Sequence, residues 1–177
     1  MPAVDGEHFD QRMAELDRAV SDLSAAASAG PWKRARPRKW SAGQHAAHVA
    51  ITMAVTAQAF EQGVPRVLDG TIGPVPGRGP LESLWIWMFV QRGFLPRGGR
   101  TPRRFEPGPA PDPDATLDDL RRGVERHRAV GHLLTAAQRD RLWIPSPFVS
   151  RWHYRLVEMV RAHAVHARHH LAQVREI

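Results

Sequence analysis

Apolar residues recur along this chain at the three- and four-residue steps of an α-helix. Phe9, Met13, Leu16, Val20, Leu23 and Ala27 make one such stripe, and Gly30-Pro31 ends it. A basic linker follows, Lys33 to Lys39. Ser41, beside Trp40, is a good N-cap for a second helix. That helix is expected to run to about Gln62 and to stop at Gly63 and Pro65. Residues 63–80, rich in Gly and Pro, predict a loop. Leu81 to about Phe94 predicts a short apolar helix, and the proline-rich stretch from Pro96 to Pro113 an irregular connection. Thr116 with Asp119 resembles a capping box. It opens a helix whose face is Leu117, Leu120, Val124, His127, Gly131 and Leu134. Pro145-Ser146-Pro147 predicts a turn. Ser150 is placed to cap a last helix from Arg151 to about Glu176. No alternating run argues for a strand. The expectation is an all-α protein: a single domain, residues 1–177, built as a four-helix bundle with long crossover loops and one extra short helix.

Polar residues interrupt these stripes in two places. The core face of the last helix begins Trp152, Leu156, Met159 and then continues as His163, His166, His170 and Gln173. At 100° per residue the three histidines span about 60° of the helical wheel. The second helix does the same, with His48 in the middle of the stripe Ser41, Gln44, His48, Ile51, Val55 and Ala59. A buried imidazole costs free energy unless it finds a partner, and a metal ion is one partner for several. His166 and His170 stand one helical turn apart, the spacing that brings two ring nitrogens to one ion. Ala167 follows His166 where the zincin motif has Glu, so that motif is excluded. With His48 from a neighbouring helix the set becomes three neutral histidines and an open coordination position. Taken singly, His48 or His127 reads better as a core histidine satisfied by a carbonyl or water than as a ligand. His45, His132 and His153 are expected at the surface or rim, His8 in solvent, and His169 exposed or behind the ligands.

Composition narrows the chemistry. The chain of 177 residues has no cysteine, which removes thiolate catalysis, iron–sulfur clusters and disulfides. Histidine and carboxylate remain as metal ligands. Seven of the ten histidines fall in 45–48 and 153–170. The longest apolar run, Leu84 to Val90, has seven residues, far from the ~20 of a membrane span. The N-terminus lacks an apolar signal core, so a cytoplasmic protein without membrane contact is expected. The net charge of +7 is carried mostly by arginine and favours anionic partners. Arg161 and Arg168 flank the histidine stripe, and Arg92, Arg97 and Arg100 lie on the segment expected to cover it. No helix-turn-helix, zinc finger or RNP motif points to specific nucleic-acid binding. Trp85 and Trp87 are expected either in the bundle or at a homodimer seam.

Two segments carry a resemblance. Trp40-Ser41-x-x-Gln44-x-x-x-His48 resembles the first motif of the DinB/YfiT-like proteins, and His166-x-x-x-His170-x-x-Gln173 resembles the second. Order, spacing and length agree over about residues 7–177. The resemblance implies a four-helix bundle with an unusual order of helix directions. It also implies a divalent ion, zinc or nickel, held by His48, His166 and His170. Some members of that family are S-transferases or isomerases using a low-molecular-weight thiol. Three functions follow as expectations. The first is a metal-dependent enzyme of the thiol S-transferase or hydrolase type, acting on a small, anionic molecule, with His163 as catalytic proton carrier of near-neutral pKa. The second is a metal-binding protein without turnover. The third is a basic nucleic-acid-binding helical protein.

Overall fold

The structure, a computed structural model, describes residues 6–33, 39–96, 101–149 and 151–177. It is mainly helical. The long helices are α1 (Gly6–Ala29), α2 (Ala42–Leu68), α4 (Pro113–His132) and α6 (Leu156–Val174). A short α3 (Pro80–Trp85) continues as a π-helical turn, Ile86–Gln91. A 3₁₀ turn covers Arg103–Phe105, and α5 covers Ala136–Arg141. Helix α1 lies along α6 and α2 along α4, while α2 also meets α6 and α1 meets α4. Phe9, Leu16, Leu23, Met53, Phe60, Leu120, Leu156 and Met159 are fully buried between them. Among the described residues no helix is long and apolar enough to cross a membrane.

Helix α2 does not stop at Gln62. Gly63 faces α5's end so closely that a Cβ would lie 2.7 Å from Leu142 Cδ1, so it is a contact point rather than a terminator. Pro65 is accommodated in the last turn, where burial of Val64 and Val67 offsets its missing N–H. The expected cap at Thr116 is also corrected. Asp112 Oδ1 accepts from Ala115 N at 2.9 Å, and Pro113 takes the first helical position. Gly131 lets Phe9 approach α4; an added Cβ would meet the ring at 1.9 Å.

The expectation of no strands fails at one point. Residues Trp143–Pro145 (β1) pair antiparallel with His153–Arg155 (β2). The last helix therefore begins at Leu156 instead of Arg151; Ser150, the expected cap, lies outside the described residues. Three-residue strands carry too little alternation to be read from sequence. The helix start is instead held by ion pairs. Glu158 accepts from Arg155 N at 2.9 Å and takes Arg78 Nη1 at 2.7 Å. Glu82 accepts from His153 N at 2.8 Å and lies 3.1 Å from His153 Nδ1. His153, expected at the rim, is thus buried, because its ring and backbone both bind this carboxylate. Exposed His132 and His8 match expectation. Trp85 packs inside against Trp152, while Trp87 is half exposed under Arg92.

Candidate metal centre

The first turns of α2 are set by chemistry in the Trp-Ser-x-x-Gln segment. Ser41 Oγ accepts from Gln44 N at 3.2 Å, and Gln44 Oε1 accepts from Ser41 N at 3.0 Å. This capping box fixes where the helix begins, and with it the direction of His45 and His48. Gln44 Nε2 also donates to Gly108 O at 3.3 Å, which ties the long 92–112 connection to the same helix end. That connection is more than a linker. Phe105, fully buried, offers its carbonyl to His48 Nδ1 at 2.8 Å.

The three histidines predicted to converge do so. His48 Nε2 lies 3.2 Å from His166 Nε2, and His170 Nε2 lies 3.0 Å from His166 Nε2. All three sets of ligand atoms fall within 4.8 Å of one another. Hydrogen bonds serve these spacings poorly. A neutral imidazole has one N–H and one lone pair. His48 spends its N–H on Phe105 O, so its Nε2 is a bare lone pair. The placement that matches most contacts puts a proton on His166 Nε2, shared between the lone pairs of His48 and His170, so that one N–H serves three nitrogens. One cation accepts all three lone pairs at once. Tetrahedral zinc bonds of ~2.0–2.1 Å place ligand atoms about 3.3 Å apart, close to the observed spacings. The donor set therefore fits a divalent ion.

Electrostatics agree. Burial pushes the pKa of His48, His166 and His170 down, for the last two well below the usual histidine value. All three are neutral at pH 7, the form that binds metal. The mutual repulsion of neighbouring imidazoles adds to the effect at His166 and His170.

His45 corrects an expectation. It is buried, not rim, and its Nδ1 sits 2.8 Å from His170 Nδ1. Burial, with His48, His169 and Lys39 nearby, lowers its pKa to about 4. The signal was present in the sequence: His45 precedes His48 by three residues, hence on nearly the same helical face. Trp40 covers the group, its ring centroid 5.0 Å from His48 and stacked at 6.2 Å on His170. His169 is half-buried, its ring 5.4 Å from His170.

His163 lies in the same cleft lining but is held from behind. Its Nε2 is 2.7 Å from Thr56 Oγ1, which is itself 3.3 Å from His127 Nε2. His127 Nδ1 donates to Gly123 O at 2.8 Å. The assignment that satisfies most atoms has His163 Nε2–H donating to Thr56, with the hydroxyl proton passed to His127 or to the Thr52 and Met53 carbonyls. Nδ1 then carries the lone pair. The near-neutral pKa expected for His163 is corrected: burial, then His127 and His166, holds it well below 6.5.

The cleft has a volume of about 720 Å³. The expected arginine frame does not line it among the described residues. Arg161 is engaged by Glu15 and by Val90 O at 3.3 Å. Arg168 lines an adjoining surface hollow with Gly93 and Val165, which shares Leu95 and His169 with the cleft, and Arg92 covers Trp87. Arg97 and Arg100 lie outside the described residues, as do Arg34 to Arg38 of the basic linker.

The fold and site define a helical protein with a three-histidine candidate metal centre open to a cleft. The chain belongs to the family described as "Protein of unknown function (DUF1569)", whose model matches residues 7–177. Neither the curated proteins nor the solved structures give a match to it.

Proposed function

We propose that this chain is a divalent-metal-dependent enzyme in which His48, His166 and His170 hold zinc or nickel, and in which water or an external low-molecular-weight thiol attacks a small electrophile. The observation that carries the reading is the donor set itself: three converging Nε2 atoms that share a single proton in their best-matched arrangement, in the lining of a cleft of small-molecule size. A bound ion would supply Lewis-acid charge and lower the pKa of a coordinated water or thiol. Phe105 O and His45 would orient the ligand rings. His163, unprotonated at neutral pH and with Nδ1 free of the Thr56 bond, would accept the proton lost by the nucleophile. With no cysteine in the chain, the thiol must come from outside. The expected anionic substrate would be met by the ion and Lys39 rather than by an arginine frame.

The DinB/YfiT-like resemblance supports the thiol S-transferase version over the hydrolase, by analogy. On that reading α1, α2, α4 and α6 are the four-helix bundle, with the 69–79 and 92–112 segments as its crossovers. The test is turnover by zinc- or nickel-loaded protein. One panel offers glutathione-like, bacillithiol and mycothiol donors with an electrophile; the other offers simple esters and amides without thiol. Metal-dependent turnover that disappears in the His48→Ala, His166→Ala double variant is the expected result. Turnover that survives in that variant, or no metal-dependent turnover in either panel, overturns the reading in favour of metal binding without catalysis.

A further inference from the structure

Away from the histidines, the cleft lining includes the aromatic rings of Trp40, Trp85, Phe89, Phe148 and Tyr154. Trp85 and Phe89 enter from α3 and its π-helical continuation, with ring centroids 5.3 Å apart. The π-helical turn at Ile86–Gln91 is a rare winding that recurs at functional sites. Trp85 Nε1 donates to Tyr154 Oη at 3.0 Å, so the one polar atom of the indole is used within the wall. Phe148, from the turn between β1 and β2, packs 5.0 Å from the buried Phe105 ring yet keeps 40% of its surface exposed. Charge on the described lining is sparse and mixed: Lys39 stands against Glu106 and Glu176. Such a wall returns free energy for covering ring surface. It offers no cationic fork for a polyanion.

We propose that the cleft takes a small molecule with a planar aromatic body and a single metal-binding head, the head at the three-histidine centre and the ring against Trp85, Phe89 and Phe148. This names the substrate class for the metal-dependent reading above and rests on it. The aromatic body replaces an arginine-held anion, because no arginine among the described residues lines the cleft.

The experiment titrates zinc-loaded protein with benzohydroxamate, acetohydroxamate and succinate monohydroxamate by calorimetry. The phenyl compound should bind at least about tenfold tighter than the methyl one, the gain expected from burying a ring. That gap should shrink in Phe148→Ala, whose side chain is too exposed to carry the fold, and in Trp85→Ala, while acetohydroxamate binding stays unchanged. Equal affinities for the phenyl and methyl compounds, tightest binding of the acidic compound, or an unchanged gap in both variants overturns the proposal. A second arm titrates metal-free protein with 2-naphthol and follows the Trp40 and Trp85 indole N–H resonances. Zinc bound without a ring preference defeats the aromatic site alone. Naphthol shifting both indoles in a protein that binds no zinc defeats the metal centre and upholds the ring site.

Discussion

Helices α2 and α6 meet twice through buried histidines, and the two meetings are built differently. At one, His163 of α6 reaches Thr56 of α2, and the hydroxyl hands on to His127 of α4 and to backbone carbonyls. Its donors and acceptors can be matched. At the other, His48 of α2 faces His166 and His170 of α6, and the best placement leaves one N–H shared among three nitrogens. Both groups are neutral and sheltered, and both replace an apolar stripe. The difference shows that histidine count and burial do not single out a candidate metal centre. What singles it out is a set of converging ring nitrogens that share one proton, beside a space that a ligand can enter.

The sharpest way to break this comparison is to remove one member from each group and read metal affinity. Structural zinc in small peptides is bound by roughly 10–16 kcal/mol over four ligands, or ~2.5–4 kcal/mol per ligand. His170→Ala should therefore weaken zinc binding by about two to three orders of magnitude by calorimetry, with the helical circular dichroism retained. His127→Ala should leave zinc affinity within about twofold. A similar loss in both variants would erase the distinction between the groups.

Stability should respond in the reverse sense. His127 is completely buried and packs against Phe60 and His163. His127→Ala removes that packing and the ring's contact with the Thr56 hydroxyl, for a cost of about 3 kcal/mol in urea unfolding. His170→Ala in the metal-free protein should cost less, because it also leaves the His166 N–H to His48 alone instead of sharing it between two lone pairs.

Acid separates the groups again. In the unfolded chain His127 titrates at 6.5; in the fold, burial lowers it to about 4. Above pH 6.5 neither state takes the proton, and the stabilising contribution is complete. As pH falls below 6.5 the unfolded chain takes a proton that the folded chain refuses, so stability is lost until about pH 4. Metal-free protein should lose up to about 3 kcal/mol over that window from His127 alone, and the slope should flatten in His127→Phe. A flat urea midpoint from pH 6.5 to 4 would show that the group does not titrate as buried.

How much of this could be read in the sequence depends on the range of the interaction. The stripes of α1, α2, α4 and α6 are local patterns, and so is the i,i+4 pair His166 and His170; each was legible. The convergence of His48 on that pair needed only that two core faces meet. What escaped depends on single long-range contacts. The start of α6 is decided by Arg78, Glu82 and Glu158, whose meeting no periodicity announces. His153 is buried for the same reason. The Phe105 carbonyl is a backbone atom in a proline-rich stretch, and no side-chain motif records it. Arg92, Arg161 and Arg168 do not line the cleft, and charge composition could not say so, because it gives the number of cations and not whom they pair with.

His45 gives the smallest effect and the finest test of the contrast. It belongs to the open group by contact, at 2.8 Å from His170 Nδ1, yet it offers no atom to the three-way meeting of Nε2 nitrogens. If His170 turns its Nε2 lone pair to an ion, its Nδ1 carries the proton and His45 Nδ1 accepts it. His45 is then a positioning residue, fixing the tautomer and ring plane of a ligand, the role for which substitutions cost 10–100-fold in metal affinity. His45→Ala should weaken zinc binding by about tenfold, far less than His170→Ala. His45→Gln, whose amide oxygen can accept the same hydrogen bond, should recover most of the loss, although an equal change in packing would not. Full recovery in Gln but not in Leu separates hydrogen bonding from volume. If Gln and Leu weaken zinc equally, His45 merely fills space, and the open group consists of its three converging histidines alone.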